Sequence, residues 1–102
     1  MKTTPKIEID GFVLDSLMAD LVGHDRRSSA YILYLALLRL SEPTGVIGIS
    51  LQGLATVTGL SKTAVQRSAA HLKRRSLITV QSNGRTQAPR YTVLAPWKRG
   101  RS

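Results

Sequence analysis

The segment LATVTGLSKTAVQRSAAHLKRRSLITV, residues 54–80, decides the fold, because two short helical patterns meet in it at a glycine. The first pattern predicts a helix over about 51–58, and the second predicts a helix over about 61–75 that Ser61 caps. Gly59 supplies the positive φ that a tight turn between the two helices needs. Two short helices joined by such a turn predict a helix-turn-helix unit.

The second of these helices has two unlike faces. Val65, Ala69 and Leu72 form an apolar stripe that is expected to pack inward, and the nearby Ala55 is small enough for the helices to cross closely. At about 100° per residue, the opposite arc spans roughly 140°. It contains Lys62, Thr63, Gln66, Arg67, Ala70, Lys73 and Arg74. These outward positions therefore carry cations and neutral polar groups but no acid.

The charge of the whole chain is distributed in the same uneven way. The net charge is +9, and all six acids lie within residues 1–42 beside five basic residues. Residues 43–102 contain ten basic residues and no acid, so the first part carries about −1 and the second +10. A concentration of cations of this kind favours a polyanionic partner, above all a nucleic acid.

The outer arc offers side chains that suit particular DNA groups. Arg67 can bond guanine O6 and N7, Gln66 can bond adenine N6 and N7, and Thr63 can bond a base edge or touch a thymine methyl. Ser61 and the free N–H groups of the first turn suit a phosphate. The cations further along the helix are expected to hold the DNA backbone: they are Lys73, Arg74 and Arg75.

Two helices are predicted before this unit. One runs over about 11–22, with Asp10 as its cap and Gly23 as a left-handed residue at its end. The other runs over about 29–41, with Ser28 or Ser29 as its cap, and is apolar nearly all round. Such a helix is either the buried centre of a small domain or part of a subunit interface.

Strands are predicted on both sides of the unit. VIGIS (46–50) is expected to form a short strand, and its last residue, Ser50, to cap the next helix. The runs 77–82 and 85–94 flank Asn83-Gly84, which is a strong hairpin signal. Pro89 is expected at an edge or bulge, because it cannot donate to a ladder. The chain thus reads as mainly α with a small antiparallel β wing, an α+β class.

The domain boundaries follow from the same patterns. Residues 1–9 are expected to form a flexible arm, residues 10–95 one domain with its wing at about 77–94, and residues 96–102 a basic tail. Trp97 is expected either to stack on a base or to pack at the domain edge. The start of the sequence lacks the apolar segment of a signal peptide, and the longest apolar run is nine residues, so no membrane span is expected.

The segment 54–80 resembles the winged helix-turn-helix domains of bacterial and phage transcription regulators and of plasmid or phage replication proteins. The shared pattern is LA, three residues, GLS, three residues and V, then a Leu-rich helix end and GLI, and the resemblance extends from about Tyr31 to Leu94. It implies a three-helix core, a small antiparallel sheet and a wing at Asn83-Gly84. The residues that it places against DNA are Lys62, Thr63, Gln66 and Arg67 in the major groove, with Arg85 at the wing tip; Arg90, on the second wing strand, completes the expected DNA-binding set.

The sequence departs from the family pattern at two positions. Ser76 stands where the family has Gly, so the exit from the recognition helix is expected to be less tightly turned. Ala69 stands where the family has a larger residue, usually Leu, so a neighbour such as the 11–22 helix is expected to fill the space.

Sequence-specific binding of double-stranded DNA, by a small cytoplasmic, nucleoid-associated transcriptional regulator, is the leading interpretation. Alternatives are a plasmid or phage replication or partition protein, and a winged helix that binds RNA or another protein. No nucleophile–base pair, paired carboxylates, metal-ligand spacing or phosphate-cradling glycine loop is present, so we expect no enzyme activity, no cofactor and no metal. A homodimer is expected, with Val13, Leu17 and Leu21 either forming its interface or capping the chain's own core.

Overall fold

The computed structural model describes residues 6–82, 84 and 87–97 and shows four helices with a small sheet. The first helix, α1, covers residues 11–24. The remaining elements are α2 (Ser28–Leu40), β1 (Val46–Gly48), α3 (Leu51–Thr58), α4 (Lys62–Arg74), β2 (Ile78–Gln81) and β3 (Arg90–Val93). The predicted α+β class is confirmed: the chain is mainly helical with a three-stranded antiparallel sheet.

Helix α1 begins as predicted but ends differently. The Asp10 carboxylate accepts the Phe12 N–H at 2.9 Å, so Asp10 caps the helix. Gly23 was expected to end it in a left-handed conformation, and this prediction is wrong, because the helix continues to His24 and Arg26 takes the positive φ of 55°. Much of α1 is π-helical, in segments Val13–Leu17 and Ala19–His24.

Helix α2 is the centre of the domain. Its side chains Leu33, Tyr34 and Leu37 are fully buried, which supports the first of the two alternatives, the buried centre of a small domain. The Tyr34 hydroxyl donates to the Leu94 carbonyl at 2.8 Å and so satisfies its own polar group. The predicted serine cap is wrong: Arg27 occupies the N-cap position and its side chain makes no capping hydrogen bond.

The sheet has the order β1-β3-β2, with both pairs antiparallel. Tyr91 on the central strand lies opposite Ile47 on one side and Val80 on the other, and it is buried. Pro89 was expected at an edge or bulge, whereas it lies just before the first residue of the central strand. At this position the missing N–H of Pro89 removes no hydrogen bond from the sheet, because it falls outside the strand. The Pro89 carbonyl accepts the Ile49 N–H at 3.2 Å.

The inner side of α1 belongs to the chain's own core. Val13, Leu17 and Leu21 are 1%, 3% and 0% exposed, and the Tyr31 hydroxyl donates to the Val13 carbonyl at 2.9 Å. Burying each such side chain contributes about 1.5–3 kcal/mol to folding. These three side chains are therefore not free to form the interface for which they were candidates. Within the described residues, no helix has the length and hydropathy needed to cross a bilayer.

Candidate nucleic-acid interface

The turn between α3 and α4 is built from local hydrogen bonds. Gly59 has φ 78°, and its N–H donates to the Ala55 carbonyl at 2.9 Å. The Thr58 hydroxyl donates to the Leu54 carbonyl at 2.7 Å and accepts the Leu60 N–H at 3.1 Å. Because these bonds are all made within a few residues, the segment itself stabilises the turn between the two helices.

Helix α4 starts at a capped terminus. The Ser61 hydroxyl accepts the Ala64 N–H at 3.0 Å, which is the cap predicted from the sequence. Ser50 does the same for α3 by accepting the Gly53 N–H at 3.0 Å. The N–H groups of Lys62 and Thr63 precede the capped one and have no acceptor within the helix, so the positive end of α4 stays open to an anion.

The two faces of α4 are separated as expected. Val65, Ser68 and Leu72 are buried against the rest of the domain. The other side, which we call the outer face, is exposed and consists of Lys62, Thr63, Gln66, Arg67, Ala70, Lys73 and Arg74. Ser61 and Arg90 are exposed as well, whereas Arg85, Asn83 and the tail residues 98–102 lie outside the described part of the chain.

The cations of the outer face are not neutralised within the described chain. No carboxylate lies within ion-pair distance of Lys62, Arg67, Lys73 or Arg74 among the described residues. The one nearby contact joins Arg74 Nη2 to His71 Nδ1, 3.4 Å apart. The outer face therefore presents unpaired positive charge together with two neutral polar groups, a combination that suits phosphates and base edges.

The Asp25 carboxylate, which we call the acidic anchor, holds the C-terminal end of α4. This contact was not predicted from the sequence. His71 Nε2 lies 2.8 Å from Asp25 Oδ2, and Arg75 Nε lies 3.3 Å from the same oxygen. Arg75 also approaches Asp20 at 3.7 Å, so it is paired and does not belong with the free cations of Lys73 and Arg74. No sequence pattern indicates this contact, since Asp25 and His71 are 46 positions apart.

The Asp25 carboxylate is held in its charged form. Hydrogen bonds from His24 and His71, together with the charge of Arg75, lower the pKa of Asp25, although burial acts in the opposite direction. Because a carboxylate can only accept, the contact between His71 and Asp25 requires a proton on His71 Nε2. Asp25 thus orients His71, whose other ring nitrogen lies 3.4 Å from Arg74 Nη2 on the outer face.

The exit from α4 keeps its tight turn despite the missing glycine. Ser76 takes φ 58°, its N–H donates to the Lys73 carbonyl at 3.0 Å, and the Leu77 N–H donates to the Leu72 carbonyl at 2.9 Å. The expectation of a looser turn is therefore wrong. A residue with a side chain in this conformation costs about 1–2 kcal/mol, so Ser76 carries strain.

The space beside Ala69 is left open. It forms a hollow between α4 and the sheet, whose lining residues are Leu51, Gln66, Ala69, Ala70, Lys73, Val80, Pro89 and Tyr91. No α1 side chain is among them, so the expectation that this helix fills the space is wrong. The hollow opens beside the outer face and adds an apolar floor next to its polar groups.

Trp97 belongs to the domain and not to the candidate interface. Its ring stacks on Phe12 with centroids 4.6 Å apart and meets Tyr34 edge-on at 6.4 Å. Trp97 was expected either to stack on a base or to pack at the domain edge, and the structure supports packing at the domain edge.

No protein-family model matches the chain, and no curated protein is significantly similar to it in sequence. The architecture, helices with a three-stranded antiparallel sheet, is compatible with a winged helix-turn-helix. The functional assignment therefore depends on the residues and their arrangement.

Proposed function

We propose that this chain is a winged helix-turn-helix protein that binds double-stranded DNA in a sequence-specific way and acts as a small transcriptional regulator. The observation that carries the proposal is the outer face of α4, where every cation is exposed and none has an acidic partner among the described residues. A solvated helix face that served only solubility would mix both signs of charge.

The dimensions of α4 support docking in the major groove. The helix has 13 residues and is therefore about 20 Å long. The groove is about 12 Å wide and admits one α-helix. The buried stripe of Val65 and Leu72 holds α4 by its other side, so the outer face can enter the groove without disturbing the core.

Roles along the outer face follow from position. Near the N-terminus, Gln66 and Arg67 reach base edges and read adenine and guanine, while Thr63 completes the readout. Lys62 lies in the major groove beside them, and Ser61 and the open N–H groups of the first turn take a phosphate. Towards the C-terminus Lys73 and Arg74 hold the backbone, and on the sheet Arg90, with Arg85 of the wing, contacts the backbone or the minor groove.

A homodimer belongs to the proposal, through a different side of α1 from the one first considered. Leu14, Met18 and Val22 recur at every fourth position and are 51%, 39% and 40% exposed. The acids Asp15 and Asp20 lie on the same helix, in the part of the chain that carries a net charge of about −1. Two copies docked through α1 would therefore not bring their strongly basic parts together. Two recognition helices would then read two half-sites, because a single helix covers only a few base pairs.

Selection from a random pool of duplexes tests the proposal. Wild-type protein should enrich a motif, and Arg67→Ala should relax the preference at one guanine position by about tenfold, which corresponds to about 1.4 kcal/mol of the range typical of a bidentate base contact. Arg39→Ala is the matched control, since Arg39 is an exposed cation in the last turn of α2 and is not part of the outer face.

Two results would contradict the proposal. If Arg67→Ala left the enriched motif unchanged, Arg67 would not read a base. Equal affinity for an RNA duplex of the same sequence would point to the RNA-binding alternative, because A-form RNA does not admit a helix into its major groove.

A further inference from the structure

A basic pocket lies where the N-terminus of α2 meets the inner flank of α4. It has a volume of about 230 Å³, and its lining residues are Arg26, Arg27, Ser28, Ser29, Ala64, Arg67 and Ser68. Among the described residues, none of the three arginines has a carboxylate within ion-pair distance. The neighbouring acid, Asp25, is bound to His71 and Arg75 and so leaves this charge uncompensated.

The start of α2 adds unused donors to the same pocket. Arg27 occupies the N-cap position without a capping hydrogen bond from its side chain. Its carbonyl accepts the Ala30 and Tyr31 N–H groups at 3.0 and 3.3 Å. The N–H groups of Ser28 and Ser29, which precede them, have no acceptor within the described chain. A 13-residue helix places the positive end of its dipole at this point.

A buried hydroxyl points independently to a ligand. Ser68 is only 4% exposed, yet its side chain has no hydrogen-bond partner among the described residues, and it lines the pocket. A polar group on a residue this enclosed usually has a hydrogen-bond partner, and here only the contents of the pocket can supply one. An acceptor bound in the pocket would satisfy it.

We propose that this pocket binds a phosphate group. Arginine side chains, open helix N–H groups and a hydroxyl are all donors, and a phosphate offers several anionic oxygens to accept from them. The pocket shares Arg67 with the outer face, so the phosphate is one of the DNA backbone, flanking the bases that α4 reads. This source rests on the proposed function, whereas a free phosphorylated molecule would use the same groups.

Two pocket variants and one control test the proposal in the full chain. Ser68→Ala removes the buried hydroxyl, Arg27→Ala removes one cation, and Arg39→Ala removes a cation elsewhere on α2. Affinity for a random-sequence duplex is measured by fluorescence anisotropy over a series of salt concentrations. Arg67 is left intact, because it belongs to both surfaces.

The two pocket variants should change DNA binding in different ways. Ser68→Ala should weaken binding about tenfold, the loss expected for one hydrogen bond to a charged group. Its unfolding temperature should stay about the same, since the hydroxyl that is removed makes no hydrogen bond within the described chain. Arg27→Ala should lower the slope of log K against log salt by about 0.9, the value for one phosphate contact, while Arg39→Ala leaves the slope unchanged.

Titration with inorganic phosphate in the absence of DNA separates the two phosphate sources. If wild type binds no duplex but is stabilised by phosphate, and both pocket variants lose this effect, the pocket stands and DNA binding fails. A second outcome is that wild type binds duplex but does not respond to phosphate, and both pocket variants keep the affinity and salt slope of wild type. This outcome would refute the phosphate pocket and leave the proposed DNA binding intact. If wild type binds neither duplex DNA nor inorganic phosphate, both proposals are refuted.

Discussion

Replacing Asp25 with Asn should destabilise the domain measurably. The Asp25 side chain is 9% exposed and receives His71 at 2.8 Å and Arg75 at 3.3 Å, while the contact with His24 joins a side chain that is 83% exposed. Hydrogen bonds to charged groups contribute about 1.5–3 kcal/mol each, and exposed pairs much less. Asn keeps one accepting oxygen but loses the charge, so we expect the free energy of unfolding to fall by about 2 kcal/mol.

Thermal unfolding followed by circular dichroism measures this change. An unfolding entropy of about 2.1 cal/mol/K per residue gives about 0.2 kcal/mol/K for a chain of this size, so 2 kcal/mol corresponds to about 9 °C. Asp15→Asn is the matched control: Asp15 is exposed on α1 and has no charged partner among the described residues. It should change the free energy of unfolding by less than about 0.5 kcal/mol.

The pH dependence gives a second check on the same group. Because the folded state lowers the pKa of Asp25, the unfolded chain takes up this proton first as the pH falls. The stabilisation is complete well above the unfolded value of about 3.9 and is lost as the pH falls through the lower folded value. The gap between wild type and Asp25→Asn should therefore close below about pH 4. A gap no larger than that of Asp15→Asn at pH 7 would refute the anchor.

Two further predictions concern the exit from α4 and the exposed side of α1. Ser76→Gly should raise the free energy of unfolding by about 1 kcal/mol, or about 5 °C, because Gly adopts a φ of 58° without strain; a lower unfolding temperature would contradict the strain. Met18→Asp should abolish the proposed dimer in sedimentation experiments and leave the monomer folded, since Met18 is 39% exposed. An unchanged dimer would remove this side of α1 as its interface.

The parts of the fold that were predictable from sequence depend on interactions between residues close in the chain. Ser50 and Ser61 each cap a helix by accepting an N–H three residues ahead, and Gly59 takes the positive φ that its position requires. The boundaries of α3 were predicted correctly for the same reason. The exposure of the outer face of α4 followed from the helical period alone, because the buried stripe fixes which side is left over.

The features that were missed depend on contacts between distant residues. Strand order was not predicted, because the pairing of β1 with β3 joins segments more than 40 residues apart and leaves Pro89 beside a central strand. Serine is a favoured N-cap residue, yet α2 begins after Arg27, whose side chain makes no capping hydrogen bond. The contact between Asp25 and His71 follows from no periodic pattern in the sequence. The chemistry around the candidate site was therefore less predictable than the outer face itself.

The most direct test of the central claim is a map of backbone amide chemical shifts during titration with duplex DNA at physiological salt. If α4 docks as proposed, the largest changes should fall at Lys62, Thr63, Gln66 and Arg67, and α1 should change little around Leu14. No change on adding DNA, or changes centred on α1 with α4 unaffected, would contradict the claim that the outer face of α4 is a DNA-binding surface.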